Sequence, residues 1–270
     1  MACDLHIHTT ASDGTDAPEE VVARAAALGL EAIAITDHDT VAGVARAVKA
    51  AAGRLVVVPG VELSAEENDC EVHLLGYFVG CDHPVLLETL AGLAKKRSER
   101  MVRIVKRLQE MGIPLILERV EKFAGTGVVG RPHVARALIE LGVVSSIEEA
   151  FRRLLGRGCP AYVPRARLAA VAGIRLIREA GGVAVLAHPG VSHSEAVLGQ
   201  LLAAGLRGIE VDYPEHTTAQ RAYFRELAER YGLIATGGSD YHGPDHRFLL
   251  GTAVVPFRVV QELRVAAERF

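Results

Sequence analysis

The chain has 270 residues, of which 50% are hydrophobic, 23% charged and 5% aromatic; this suits one large domain, or a domain with an insert, and excludes disordered and fibrous classes. No stretch approaches the roughly 20 uncharged apolar residues of a membrane span, and Asp4 and the histidines after it leave no apolar leader at the start, so neither a membrane anchor nor a signal peptide is expected. The formal net charge of −3 argues against wholesale wrapping of nucleic acid, yet the charge is divided: residues 86–167 carry 16 Lys and Arg against 8 Asp and Glu, a formal +8, and the rest of the chain carries −11.

Residues 1–85 alternate short apolar strands with amphipathic helices: strands at 3–8, 31–36, 55–61 and 72–79, helices at 18–28 and 40–52. Pro18 suits a first helical turn, and Gly29 and Gly53 stand just past the two helix ends. From residue 86 to 167 the strand pattern gives way to helix, with apolar residues every three or four positions from Leu86 to Met111 and further helices at 132–141 and 146–155. The alternation then resumes: helix 168–180, strand 183–187, helix 194–204, strand 208–211, helix 217–231, strand 233–236, strand 252–255 and helix 258–270. Repeated βα units interrupted once predict a parallel barrel, residues 1–85 and 168–270, with a helical insert at 86–167; a doubly wound open sheet is the rival. Polar residues at the ends of many different strands favour the barrel, where they converge on one mouth.

His6 and His8 in "DLHIHT" are spaced i, i+2, which on a strand turns both imidazoles to one face. Such a pair also serves as a polar strand edge, but further candidates stand at other strand ends: Asp13, His38, Glu62, His73, His188, Asp240 and His242. Imidazoles within apolar runs need partners, and a metal cluster supplies them all. These nine residues exceed what one zinc or two four-coordinate ions require, so three ions fit the number, and nitrogen and oxygen donors without thiolate suit Mn, Fe or Zn. His83, His193, His216 and His246 lie among polar turn residues and read as surface or capping groups. Asp37 and Asp39 either steady ligands from behind or cap the helix expected at Thr40. The scattered Cys3, Cys70, Cys81 and Cys159 point to a reducing cytoplasm rather than a disulfide framework.

The motifs "DLHIHTTASDGT", "ITDHDTVAG", "PGVELS", "VHLLGY", "AHPG" and "GSDYHG", in this order, resemble the PHP (polymerase and histidinol phosphatase) phosphoesterases along essentially the whole chain. The closest likeness is to the branch with a helical insert, which includes nucleoside 3′,5′-bisphosphate phosphatases and 5′-to-3′ exoribonucleases. The resemblance implies a distorted seven-stranded (β/α) barrel and two or three divalent metals, manganese foremost. His6, His8, Glu62 and Asp240 would hold the first; Glu62 would bridge to a second held by His73 and His188; Asp13, His38 and His242 would hold the third. Where a third ion is absent, those last three would touch the substrate phosphate directly.

The insert carries "KRSER", "GRPHVAR" and "YVP". Arg97 and Arg100 share a helix face, and Arg131 and His133 flank Pro132 at a helix start, where backbone N–H groups favour an anion. With Ser98 they form the expected phosphate grip of a cap over the barrel, opposing a substrate of nucleotide or short-RNA type; no stable protein partner is implied. The expected reaction is attack on phosphorus by a metal-bound hydroxide, releasing 3′-phosphate from a nucleoside 3′,5′-bisphosphate or a 5′-terminal nucleotide from RNA. Rival readings are a histidinol-phosphatase-like phosphomonoesterase, an amidohydrolase or deaminase, and a non-catalytic metal-dependent RNA-binding module. The lysine-bridged amidohydrolase has no candidate, because Lys49, Lys95, Lys96, Lys106 and Lys122 all fall in expected helices or the insert.

Overall fold

A computed structural model describes residues 2–125, 127–164 and 168–268. The chain divides into two compact units, Met1–Glu88 with Arg167–Phe270, and Thr89–Ala166. The insert boundary expected at 167 and the last two residues of the expected closing helix lie outside the described residues.

In the first unit the elements are β1 Ala2–Asp4, α1 Pro18–Ala27, β2 Ala32–Ile35, α2 Val44–Ala51, β3 Val56–Glu67, β4 Cys70–Tyr77 and the start of α3 Pro84–Glu110. After the second unit come α7 Ala170–Glu179, β5 Val183–Leu186, α8 Pro189–Ser192, a 3₁₀ turn Ser194–Val197, α9 Leu198–Ala204, β6 Gly208–Asp212, α10 Thr218–Tyr231, β7 Ile234–Gly237, β8 Val255–Pro256 and α11 Phe257–Ala267. The strand order is β7-β6-β5-β4-β3-β2-β1-β8. The residues after β1 then pair with those after β7: Leu5 N–H donates to Gly237 O (3.3 Å), His8 N–H to Tyr241 O (2.8 Å) and Tyr241 N–H to His6 O (3.3 Å). Seven strands therefore close into a ring, which excludes the open sheet, and β8 adds a two-residue antiparallel eighth strand beside β1.

The ring departs from a parallel barrel at β4, which runs antiparallel to both β3 and β5. The cause is local. Glu67 pairs with Cys70 across a two-residue turn, Asn68–Asp69, with φ of 48° and 61°, the left-handed pair that matches strand twist in a tight hairpin. Other elements are shifted: α2 starts at Val44 rather than Thr40, after a turn at Ala42–Gly43, β3 runs on to Glu67 rather than ending at 61, the helix expected from 194 opens as a 3₁₀ turn, and the strand expected at 252–255 is reduced to β8.

The core joins Cys3, Leu5, Ala32, Ala34, Val58, Leu75, Tyr77, Val183 and Val185 to Val259, Val260 and Leu263 of α11, so the last helix packs against the ends where the parallel strands begin. Tyr77, fully buried, donates its hydroxyl to Leu5 O (2.8 Å) from the opposite side of the ring. Polar chemistry is thereby left to the other end.

The second unit holds most of α3, then α4 Leu117–Ala124, α5 Arg131–Glu140, α6 Ile147–Ala150 and a π-helical turn Phe151–Leu155. Met101, Ile104, Val105 and Leu108 recur at helical spacing on α3 and meet Val120, Val134, Leu138 and Leu155, which gives this unit its own core. Ser146 caps α6 by accepting Glu149 N–H (3.2 Å). Helix α4 was not expected from the sequence. Among the described residues no helix is long and apolar enough to cross a membrane.

Candidate metal centre

The chain stays extended past β1, so Ile7 bridges Tyr241 while His6 and His8, both without solvent exposure, enter the ring mouth. His38 follows β2, His188 follows β5, and Asp240 and His242 follow β7. Glu62 and His73 sit on β3 and β4 as diagonal neighbours, since Glu62 faces Leu75 and Ser64 faces His73. The turn after His8 adds Asp13. All nine residues singled out by sequence gather here in four overlapping groups: His8, Asp13, His38 and His242; His6, His8 and Asp240; His6, Glu62 and His188; His38, Glu62 and His73.

Glu62 is the hub. Its Oε2 lies 3.4 Å from His6 Nε2, 3.2 Å from His8 Nε2 and 3.0 Å from His38 Nδ1, and its Oε1 lies 2.7 Å from His73 Nδ1 and 3.1 Å from His188 Nε2. Asp240 Oδ1 is 3.1 Å from His8 Nε2 and 3.4 Å from His6 Nε2, and Asp13 Oδ1 is 3.4 Å from His242 Nε2. The two Glu62 Oε1 contacts are hydrogen bonds, but close approach does not make the others so: His6 Nε2, both ring nitrogens of His8, His38 Nδ1 and Glu62 Oε2 are buried with no hydrogen-bond partner. Buried polar atoms in that state are expensive, and donors of this chemistry facing common points rather than one another fit divalent cations. Exposure is graded, from 0% for the His6 and His8 side chains to 15% for His38 and His73, 14% for His242 and 17% for Asp240, so the last four form the open side.

The charges answer one another. Burial would pull the His6 imidazole down, but Glu210, Asp240 and Glu62 lift it well above its ordinary value. Burial opposes His8 in the same way, and Asp240 and Glu62 raise it to about 10. Burial would raise Glu62, Asp13 and Asp240, but the surrounding histidines hold all three well below the usual carboxylate range. His38 goes the other way, lowered chiefly by burial.

Residues behind the candidate ligands fix their aim, and sequence reading missed several. Glu210 on β6, fully buried, sets Oε1 3.0 Å from His6 Nδ1 and accepts His188 N–H on Oε2 (2.8 Å). Tyr213 donates its hydroxyl to Asp240 Oδ2 (3.0 Å), and His242 Nδ1 lies 2.8 Å from Asp240 O, which leaves its Nε2 for the centre. The aspartates flanking His38 do not cap α2. Asp37 accepts Thr9 N–H (2.7 Å), Thr9 Oγ1 (2.8 Å) and Ser12 Oγ (2.7 Å), which braces the turn carrying Asp13, and Asp39 accepts Ser64 N–H (2.9 Å). His216 is not a surface group: it is buried, its Nδ1 lies 2.9 Å from Val211 O and its Nε2 accepts Gly190 N–H (3.1 Å), which steadies the turn after His188. His246 likewise lies against His242, ring centroids 5.0 Å apart. Backbone strain collects at the centre, where His188 and Asp240 have φ of 26° and 52°.

Within the second unit, Arg97, Arg100, Arg131 and His133 also gather. Arg97 lies against Gly130; Arg100 is buried, donates Nε–H to Val163 O (2.7 Å) and sits 5.8 Å from the Tyr162 ring centre. Arg131 donates to Leu155 O (3.2 Å) and lies 5.1 Å and 6.0 Å from the Phe151 and Tyr162 rings. His133 is buried and accepts Gly130 N–H on Nδ1 (2.9 Å). Ser98 is exposed on α3. The aromatic faces and the backbone carbonyls hold the Arg100 and Arg131 guanidinium groups in fixed orientations.

Comparison with known proteins gives a consistent set. The PHP domain model matches residues 4–117. The chain is 37% identical over 249 residues to the 5′-3′ exoribonuclease Rnm of Escherichia coli, covering 89% of this chain and 85% of that one. It is 38% identical to the phosphoribosyl 1,2-cyclic phosphate 1,2-diphosphodiesterase of Eggerthella lenta (90% and 95% covered) and 35% identical to the 3′,5′-nucleoside bisphosphate phosphatase of Chromobacterium violaceum (89% and 87%). A Bifidobacterium adolescentis crystal structure assigned as a metal-dependent phosphoesterase superposes with a TM-score of 0.92 at 32% identity, covering 97% of this chain and 95% of that one.

Proposed function

Since the chain belongs to the PHP family of metal-dependent phosphoesterases, we propose that it hydrolyses nucleotide phosphoesters, releasing 3′-phosphate from nucleoside 3′,5′-bisphosphates and removing 5′-terminal nucleotides from short 5′-phosphorylated RNA. The observation that carries the reading is the convergence of nine nitrogen and oxygen ligands on Glu62 at one end of the ring. His6, His8, Glu62 and Asp240 would hold one ion, His73 and His188 with Glu62 a second, and Asp13, His38 and His242 a third. Manganese is the first expectation, with iron and zinc compatible with the same donors. Bound there, divalent ions would supply Lewis acidity to phosphoryl oxygens and acidify water, so that no protein nucleophile would be needed.

The chain's own groups do the rest. Glu62 keeps the imidazoles in register, and Glu210 and the Asp240 carbonyl fix which nitrogen of His6 and His242 faces inward. His38, Asp13 and His242 face the phosphoryl group undergoing hydrolysis, through the third ion where it is bound and directly where it is absent. Arg97, Ser98, Arg100, Arg131 and His133 take the phosphate that is retained. The four cysteines are free thiols, in keeping with a cytoplasmic enzyme.

The test is product identity after incubating metal-loaded protein with adenosine 3′,5′-bisphosphate. This reading expects 5′-AMP and phosphate; 3′-AMP as product, or no turnover with Mn, Fe or Zn, would overturn it. The likeness to a cyclic phosphodiesterase favours a second reading, cleavage of a phosphoribosyl 1,2-cyclic phosphate, and turnover of that substrate with an inert bisphosphate would select it.

A further inference from the structure

Glu210 is a fully buried carboxylate on β6, outside every group of candidate ligands, and it touches two of those ligands at once. Its Oε1 is 3.0 Å from His6 Nδ1, and its Oε2 accepts the backbone N–H of His188 at 2.8 Å. The two ligands come from different strands, after β1 and after β5, yet their rings stack with centroids 5.6 Å apart and planes 17° apart, and both point at Glu62. His188 is also the ligand whose backbone most needs restraint, with φ of 26° and ψ of 55°, far from where a β-strand would leave it. The N–H accepted by Glu210 holds that conformation from one side, and the Gly190 N–H accepted by His216 holds it from the other.

The chemistry of the contacts restricts what can stand at this position. For His6 to present the Nε2 lone pair to the centre, its proton must sit on Nδ1, so Nδ1–H is a donor; the His188 backbone N–H is a donor as well. Both demands are for acceptors, they are met on two different oxygens, and among side chains of this size only a carboxylate offers two acceptor oxygens. A glutamine of the same size has one acceptor oxygen and one NH₂, so it can satisfy His6 or His188 but never both: either His6 is driven to the tautomer with Nε2 protonated, or His188 N–H faces another donor.

We propose that Glu210 is the positioning residue of the metal centre, one carboxylate that sets the tautomer of His6 and the backbone of His188 together and thereby fixes the affinity of two neighbouring ion positions. The inference rests on the metal-centre reading and is independent of the substrate. It is tested on the full chain, stripped of metal, by titrating wild type and Glu210→Gln with zinc against a competing chromophoric chelator, with circular dichroism and thermal melting of each metal-free form to confirm folding. The expected result is a folded variant whose tightest zinc binding is at least tenfold weaker, or which takes up one ion fewer, in keeping with the roughly 10–100-fold effect of groups behind metal ligands. Spectra of ¹⁵N-histidine in the zinc-loaded proteins are expected to show a change at one or two imidazoles rather than throughout. If Glu210→Gln does not fold, Glu210→Asp is read by the same titration: it keeps two acceptors but cannot reach both partners, and the same weakening is expected. A folded variant that binds the same number of ions with wild-type affinity would overturn the proposal. Wild-type protein that takes up no zinc, manganese or iron would instead overturn the metal-centre reading itself, so the two failures are distinguishable.

Discussion

Five imidazole nitrogens approach the two oxygens of Glu62 within 3.4 Å, more than a carboxylate has lone-pair positions to satisfy. Glu62→Gln removes the charge that balances them, and because groups merely behind a ligand already cost about 10–100-fold in affinity or activity, this change at a proposed direct ligand is expected to lower kcat by about a hundredfold or more; steady-state assay at saturating metal checks it. The pH dependence of loading follows from His8. Without an ion its pKa stands near 10 rather than 6.5, so at neutral pH it carries a proton that an ion must displace. Ion affinity is therefore expected to rise with pH throughout the range below about 10, by about tenfold per unit for each proton displaced. Calorimetry in buffers of different ionisation enthalpy would show proton release on binding; pH-independent affinity with no release would contradict the assignment. In the metal-free protein the sign reverses for this raised histidine: its ion pairs stabilise most below 6.5 and are lost as the pH climbs towards 10.

At the scale of elements, the join between β1 and β7 is set by Gly238. A Cβ there would lie 2.3 Å from His6 N and 2.5 Å from His6 Cβ, so Gly238→Ala must move either the closing strands or the ligand. The expected outcome is a loss of about 1–3 kcal/mol, measured by denaturant unfolding, together with weaker ion binding; wild-type values for both would contradict the account. The βα alternation and the insert were legible because apolar runs, Pro18 and the glycines at 29 and 53 carry local signals, the two glycines with φ of 72° and 79°. The direction of β4 was not read, although Asn68–Asp69 between two patterned runs is a hairpin signal of the same local kind. The delayed start of α2 was not legible, because Asp37 and Asp39 are spent on Thr9, Ser12 and Ser64 rather than on a helix end. The nine candidate ligands stood out because imidazoles and carboxylates in apolar strands demand partners. Glu210 escaped because, alternating with Ile209 and Val211, it reads as the outward face of a half-exposed strand, and only ring closure shows that this face points inward at His6.

For the whole molecule the decisive property is its division into an acidic ring and a basic insert, each with its own core. Leu108 is fully buried in the insert core, and Leu108→Ala is expected to lower stability by about 2–5 kcal/mol, read from urea unfolding. Arg131 tests the division of labour between the units. A charged hydrogen bond contributes about 1.5–3 kcal/mol, so Arg131→Ala is expected to raise KM for adenosine 3′,5′-bisphosphate by about tenfold or more and to leave KM for 3′-AMP, which lacks the second phosphate, unchanged. Equal effects on both substrates would assign Arg131 to folding alone. The most direct test of the central claim is phosphate release from adenosine 3′,5′-bisphosphate while chelator-stripped protein is titrated with manganese. The account predicts no turnover without metal and full recovery as the equivalents held by the nine ligands are restored; undiminished turnover in the stripped protein would contradict it.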